Sequence, residues 1–218
     1  MKRRTLDVLF SAGGLALAGL LLVLGLVMTS NANFAKDYVA SQLSQQHIVF
    51  KTADTLTDEE RKAPCLVKYA GMPLTTGKQA ECYANEFIGL HVKAVANGAT
   101  YADLGEPQAA LKTQVAAATK TNDPSLPALT KQLADVTAQR ETVFKGETLR
   151  GLLLTSYGFS VFGVKGGQAA TVSYTVAALL TLLSAAGAFH AFKTPRDEAF
   201  AAPERTGPRP TTKPVVSV

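Results

Sequence analysis

The chain has 218 residues with a formal net charge of +5, and 47% of its residues are hydrophobic. The positive surplus lies at the two ends. Residues 1–7 hold three basic and one acidic side chain and residues 193–218 hold five and three, whereas residues 29–170 hold fourteen and thirteen. No basic stripe gathers anywhere to meet phosphates, so a nucleic-acid partner is excluded.

The first element is apolar. Val8 to Ala35 carries no charge and includes the run Leu9 to Met28. A bilayer-crossing helix needs about 20 such residues, because only a self-bonded backbone is stable in hydrocarbon. Residues 1–7 therefore read as a cytoplasmic N-terminus and residues 8–30 as a first transmembrane helix. A cleaved secretory signal is the rival reading, since Ser30-Asn31-Ala32 offers small residues to a signal peptidase. The apolar run exceeds the roughly 7–15 residues of a signal core, which favours an uncleaved anchor. No lipobox cysteine follows the span.

Residues 31–150 read as an extracytoplasmic helical domain. Asn33 to Gln46 continues the first helix, with Phe34, Tyr38 and Leu43 in helical spacing, and His47 to Phe50 is briefly extended. Thr57 to Glu60 forms a capping box ahead of a helix that Pro64 keeps short. Thr76 to Gln79 is a second box, opening a longer helix closed by Asn97-Gly98. Along that helix Ala80, Tyr83, Ala84, Phe87, Ile88, His91 and Val95 form one apolar stripe. Cys65 and Cys82 are the only cysteines. In an oxidising compartment the simplest reading of such a pair is a disulfide, worth roughly 3 kcal/mol in the chain-entropy model. Two unrelated buried thiols are the alternative.

Two heptad-like stripes follow. Leu104, Gln108, Leu111, Val115 and Ala118 make one, and Leu129, Leu133, Val136, Arg140, Val143, Glu147, Arg150, Leu154 and Tyr157 the other. The polar turn Thr121 to Pro127 separates them, which predicts an antiparallel helical hairpin with polar breaks in its seam at Gln108, Arg140 and Glu147. Residues 151–167 form an uncharged aromatic segment and then Lys165-Gly166-Gly167. As a helix, Gly151 to Val164 would rise only about 21 Å, short of a bilayer core of about 30 Å. We therefore expect an interfacial segment followed by a hinge.

Residues 168–192 form the second transmembrane helix, followed by Lys193 and Arg196. Basic flanks at both ends place both termini in the cytoplasm and residues 31–167 outside. Small residues four apart let helices approach closely in lipid, which marks Gly14 with Ala18 and Ser184 with Ala188 as helix-packing pairs. The spans either pack on each other or present a face to a larger complex, and the two are compatible. Residues 193–218, rich in proline and charge, read as a disordered cytoplasmic tail.

Chemistry-bearing patterns are sparse. His47, His91 and His190 share no metal-ligand spacing, so no metal site is expected. No phosphate-cradling glycine loop or nucleophile elbow occurs, and Glu81 and Glu86 do not share a helix face. The spans contain no Asp, Glu, Lys or Arg to carry a proton path. No catalytic or cofactor-binding residue is assigned.

The segments Cys65-Leu66-Val67-Lys68-Tyr69-Ala70-Gly71, Leu74 through His91, and Arg150-Gly151-Leu152-Leu153-Leu154 resemble a group of small two-span actinobacterial membrane proteins. The resemblance covers most of residues 1–192. Members are sometimes labelled aromatic ring-opening dioxygenases, which implies a non-haem iron held by two histidines and a carboxylate. Outside the predicted spans this chain has only His47 and His91.

The sequence thus predicts an all-α membrane protein whose two transmembrane helices flank a disulfide-stapled external domain. It reads as a non-enzymatic interaction or accessory module with membrane lipid around it and a membrane-protein partner or a second copy beside it. The alternatives are a metal or redox enzyme using His91 with Glu86 or the cysteine pair, and a lipid or small-ligand binder at the outer face of the bilayer.

Overall fold

A computed structural model describes residues 2–195. The tail from residue 196 onward, where the sequence predicts disorder, lies outside the described residues. Seven α-helices and one π-helical segment make up the regular structure among those described. They are α1 (Arg3–Ser44), α2 (Asp58–Arg61), α3 (Pro64–Tyr69), α4 (Gly77–Cys82), the π segment (Tyr83–Ile88), α5 (Gly89–Val95), α6 (Gly105–Thr121) and α7 (Leu126–Lys193). Both α1 and α7 are long and apolar enough to cross a membrane. The described residues form two compact units, one of residues 2–26 with 170–195 and the other Val27–Ala169.

In the first unit, arms of α1 and α7 run antiparallel. Ser11, Ala18 and Gly25 are buried on α1, and Ala170, Ala177, Ser184 and Ala191 on α7, each series stepping by seven. A seven-residue repeat keeps one face of a helix against its neighbour over several turns. The seam is tight because its residues are small. A Cβ on Gly14 would collide with the Ser184 side chain, and one on Gly187 would lie 2.6 Å from Ser11 Oγ. Gly14 thus faces Ser184, and Ala18 and Ser184 are buried. The fourth, Ala188, is only half-buried, because the heptad carries the contact through Gly187 instead. Beyond the seam, His190 Nδ1 and Asp7 Oδ2 lie 2.9 Å apart.

The second unit carries the larger core. Val39 and Leu43 at the end of α1, Phe50, Leu56, Leu66, Leu74, Ile88, Val92, Val143 and Leu153 pack into one cluster. Both capping boxes form. The Glu60 carboxylate accepts from the Thr57 amide at 2.7 Å, and the Gln79 side chain accepts from the Thr76 amide at 2.9 Å. Pro64 both limits α2 and begins α3, since proline's missing N–H costs nothing in a first helical turn. The extended segment after α1 pairs with residues beyond α3 through an antiparallel bridge of Val49 with Pro73. Cys65 and Cys82 are disulfide-bonded, with Cα atoms 6.0 Å apart, tying α3 to α4.

The helix after Thr76 differs from a uniform α-helix. Its middle turn is π-helical, and the Gly89 amide closes it by donating to Ala84 O. Past the buried Gly77, Gln79, Ala80 and Cys82, the buried positions fall at Ala84, Ile88, Val92 and Ala96, a strict step of four. In an α-helix of 3.6 residues per turn such a line drifts by about 40° per step. The wider π turn cancels that drift. His91 and Val95, expected on the stripe, are therefore exposed, and Val92 and Ala96 take their places.

The hairpin forms between α6 and α7, with Asn122 in the left-handed conformation at the end of α6. Two of its three polar seam residues, Gln108 and Arg140, meet each other, while Glu147 pairs with Arg150 on α7. Arg140 Nη1 donates to Gln108 Oε1 at 2.7 Å, and Gln108 Nε2 donates to Thr137 at 2.8 Å. The expected hinge at Lys165-Gly166-Gly167 is instead helical, within an unbroken α7. The close approach here is at Gly163, while Gly166 and Gly167 stand at ordinary van der Waals distance from Ala32. A Cβ on Gly163 would lie 2.9 Å from that of Ala35 and 3.3 Å from Ala32 O, and those on Gly166 and Gly167 would each reach Ala32 at 3.8 Å.

Candidate functional site

An open groove of about 830 Å3 in the second unit is bounded by α2 and the residues after it, the π segment, α5, the loop after it and α7. Three acids and three bases line it, Glu59, Glu86 and Glu147 against Lys62, Lys93 and Arg150, so it carries no net charge. Ala63, Leu90, Val92, Ala99, Ala102 and Val143 supply an apolar floor. Its volume falls within the roughly 300–1,000 Å3 of small-ligand sites.

Arg150 is the group in this groove whose bonding is incomplete. Its Nη1 donates to Glu147 at 3.1 and 3.3 Å, and its Nη2 to Asn85 Oδ1 at 3.3 Å. Charge-assisted bonds are usually about 2.7–2.9 Å, so all three are long. The buried Nε has no acceptor. A buried donor left unmet costs roughly 1–3 kcal/mol, while the rest of the side chain, 35% exposed, lines the groove. The π turn bears on the geometry, because Asn85 and Glu86 both lie within it and both border the groove.

A second polar constellation lies on the other side of the same helix. Glu60 is buried, its carboxylate bonded to Lys51 Nζ at 2.8 Å, with His91 Nε2 3.6 Å away. Burial pushes its carboxyl up, but the Lys51 ammonium and the Thr57 amide and hydroxyl outweigh this and leave it below its usual value. His91 Nδ1 faces Phe87 O at 2.7 Å, which directs the other ring nitrogen at Glu60. The rings of Phe50, Tyr83, Phe87 and His91 follow one another at centroid distances of 5.2, 4.7 and 4.5 Å. Burial raises the Tyr83 phenol.

Several sequence-predicted residues fall apart in space. Glu86 borders the large groove while His91 borders a smaller apolar cavity with Phe87 and Val95, so the two do not share a site. His47 lies in the turn after α1, in the left-handed conformation and on the surface. Among the described residues no three His, Cys, Asp or Glu side chains come together in a group able to hold a metal. The sequence places Arg150 in the α7 stripe but does not show its long bonds to Glu147 and Asn85. The signal available was a third polar residue, after Arg140 and Glu147, in an otherwise apolar repeat.

No family profile, curated protein or solved structure matches the chain.

Proposed function

We propose that this chain is a non-enzymatic, two-span membrane protein that presents residues 31–167 outside the cell membrane as an interaction module, with the Arg150 groove as its recognition surface. The membrane reading rests on two uncharged stretches with basic flanks and on a pairing seam made of small residues, the kind that associates helices in lipid. The disulfide suits an oxidising exterior. The recognition reading rests on one observation, the Arg150 guanidinium, a side chain 35% exposed at the wall of an open, charge-balanced groove and held there only by long bonds. A partner segment bringing a carbonyl or carboxylate oxygen completes that guanidinium, while its apolar groups cover the floor.

The test is photo-crosslinking in intact cells through Lys93, which lines the groove. A photoreactive residue there is expected to yield one protein adduct of defined mass, and Arg150→Gln is expected to abolish it. Diffuse adducts, or a defined adduct indifferent to Arg150→Gln, would remove the groove from the account.

A further inference from the structure

A second cleft in the Val27–Ala169 unit, of about 460 Å3, opens between the end of α1 and the middle of α7. We propose that this cleft holds an acyl chain of a membrane phospholipid, which makes the external domain a lipid-gripping element as well as a presented one. The inference rests on the membrane reading above.

The lining is the first reason. Val39 and Leu43 form the α1 wall, and Leu149, Leu152, Leu153 and Phe159 much of the α7 wall. No Asp, Glu, Lys or Arg lines the cleft. Thr155 and Ser156 border it too, yet their hydroxyls donate back to Gly151 O at 2.9 Å and Leu152 O at 3.2 Å. Tyr38, Gln42 and Gln46 also border the cleft, but all three are exposed and lie at its rim, while the buried Val39, Leu43 and Leu153 form its floor. What remains suits an uncharged, flexible, apolar chain.

Shape argues for a chain over a helix. An α-helix with its side chains is about 10–12 Å across and needs a long open trough. Here the two walls converge to backbone contact at Gly163, whose Cβ would stand 3.3 Å from Ala32 O, so one end of the cleft is shut to anything that wide.

Position argues for lipid as the source. The uncharged stretch of α1 ends at Ala35, and Tyr38 at the cleft is three residues further on. Phe34, Tyr38 and Phe159 form an aromatic cluster there, with centroids 5.7, 6.4 and 5.9 Å apart. Tyrosine and its aromatic neighbours favour the headgroup level of a bilayer. The apolar surface is bare, with Leu152 62% exposed and Phe162 77% exposed, and it continues along α7 as far as Lys165. Cleft and lipid-facing surface are therefore continuous in sequence and in character.

The experiment uses the full chain in vesicles of phosphatidylethanolamine and phosphatidylglycerol. Benzoylphenylalanine is introduced singly as Leu152→benzoylphenylalanine, Leu20→benzoylphenylalanine on the predicted first span, or Lys131→benzoylphenylalanine on the hairpin. After illumination, intact mass is read. Phospholipid-mass adducts at Leu152 and Leu20 with none at Lys131 are expected. Gln42→Trp, at the exposed rim of the cleft, is expected to cut the Leu152 adduct severalfold while leaving that at Leu20 unchanged. Adduct at Leu20 but none at Leu152, or a dimer-mass product at Leu152, overturns the inference alone, as does a Leu152 adduct indifferent to Gln42→Trp. Absence of lipid adduct at Leu20 overturns the membrane reading itself.

Discussion

Arg140 donates to Gln108 Oε1 at 2.7 Å across the hairpin and to Tyr101 O at 3.2 Å, and its guanidinium lies 4.0 Å from the centre of the Tyr101 ring. One side chain thereby sets both the register of α6 on α7 and the position of the loop entering α6. Arg140→Leu leaves the buried Gln108 amide and the Tyr101 carbonyl without this donor. A loss of roughly 1–3 kcal/mol follows from the unmet groups. Gln108→Leu combined with Arg140→Leu is expected to lose less than the two single changes together, because the apolar pair leaves a continuous seam. Urea unfolding of the four proteins in detergent measures the coupling.

Gly146 on α7 faces Val92 on α5, where an added Cβ would collide with Val92 Cγ2. Alanine improves helix propensity by up to about 1 kcal/mol, while overpacking a core costs about 1–3 kcal/mol. Valine in a helix is nearly fixed in one rotamer, so Val92 does not swing aside. Gly146→Ala is therefore expected to destabilise, and Val92→Ala in the same chain to reverse the effect. A shift of the unfolding midpoint in opposite directions checks both.

The hairpin and both capping boxes were legible in the sequence because each rests on local chemistry: heptad spacing, a polar turn, a threonine three residues before an acceptor. The π turn was not. Its residues have no composition distinct from an α-helix, and it is identified by where Ala84, Ile88 and Val92 must point to reach the core. That one turn moved His91 off the expected stripe and set Asn85 beside Arg150. The hinge failed for a related reason, since Gly166 and Gly167 read as flexibility when only the neighbouring Ala32 shows them to be contact residues. Along the α1–α7 seam, Gly14 lies against Ser184 and Ala18 is buried, while the contact beside Ala188 runs through Gly187, because the small residues of this seam repeat at seven and not at four.

The Cys65–Cys82 bond closes a loop of 17 residues and joins α3 to α4 beside Leu66, Ala80 and Ala84. Replacing both cysteines by serine is expected to cost about 3 kcal/mol, the loop-closure entropy returned to the unfolded chain. Denaturant titration measures it, and thiol labelling of the unfolded native protein is expected to find no free thiol until a reductant is added.

Stability in acid should depend on Glu60. Its native carboxyl lies below the ordinary value of 4.5, so the stabilisation is fully present above about pH 4.5 and is lost as pH falls through the lowered native value. Asp103 and Asp123, lowered by bonds from Thr100 and Ser125, act in the same direction, so the difference between two proteins is the informative quantity. Glu60→Gln is expected to be less stable at neutral pH by roughly 1–3 kcal/mol and to lose less on acidification. Unfolding midpoints from pH 7 to pH 3 for both proteins supply the comparison.

The membrane threading is tested most directly by labelling whole cells with a membrane-impermeant maleimide. Chains carrying Lys131→Cys on the hairpin or Ser217→Cys near the carboxyl terminus are compared, before and after permeabilisation. The account predicts that Lys131→Cys labels in intact cells and Ser217→Cys only after permeabilisation. Labelling of Ser217→Cys in intact cells with protection of Lys131→Cys would contradict it.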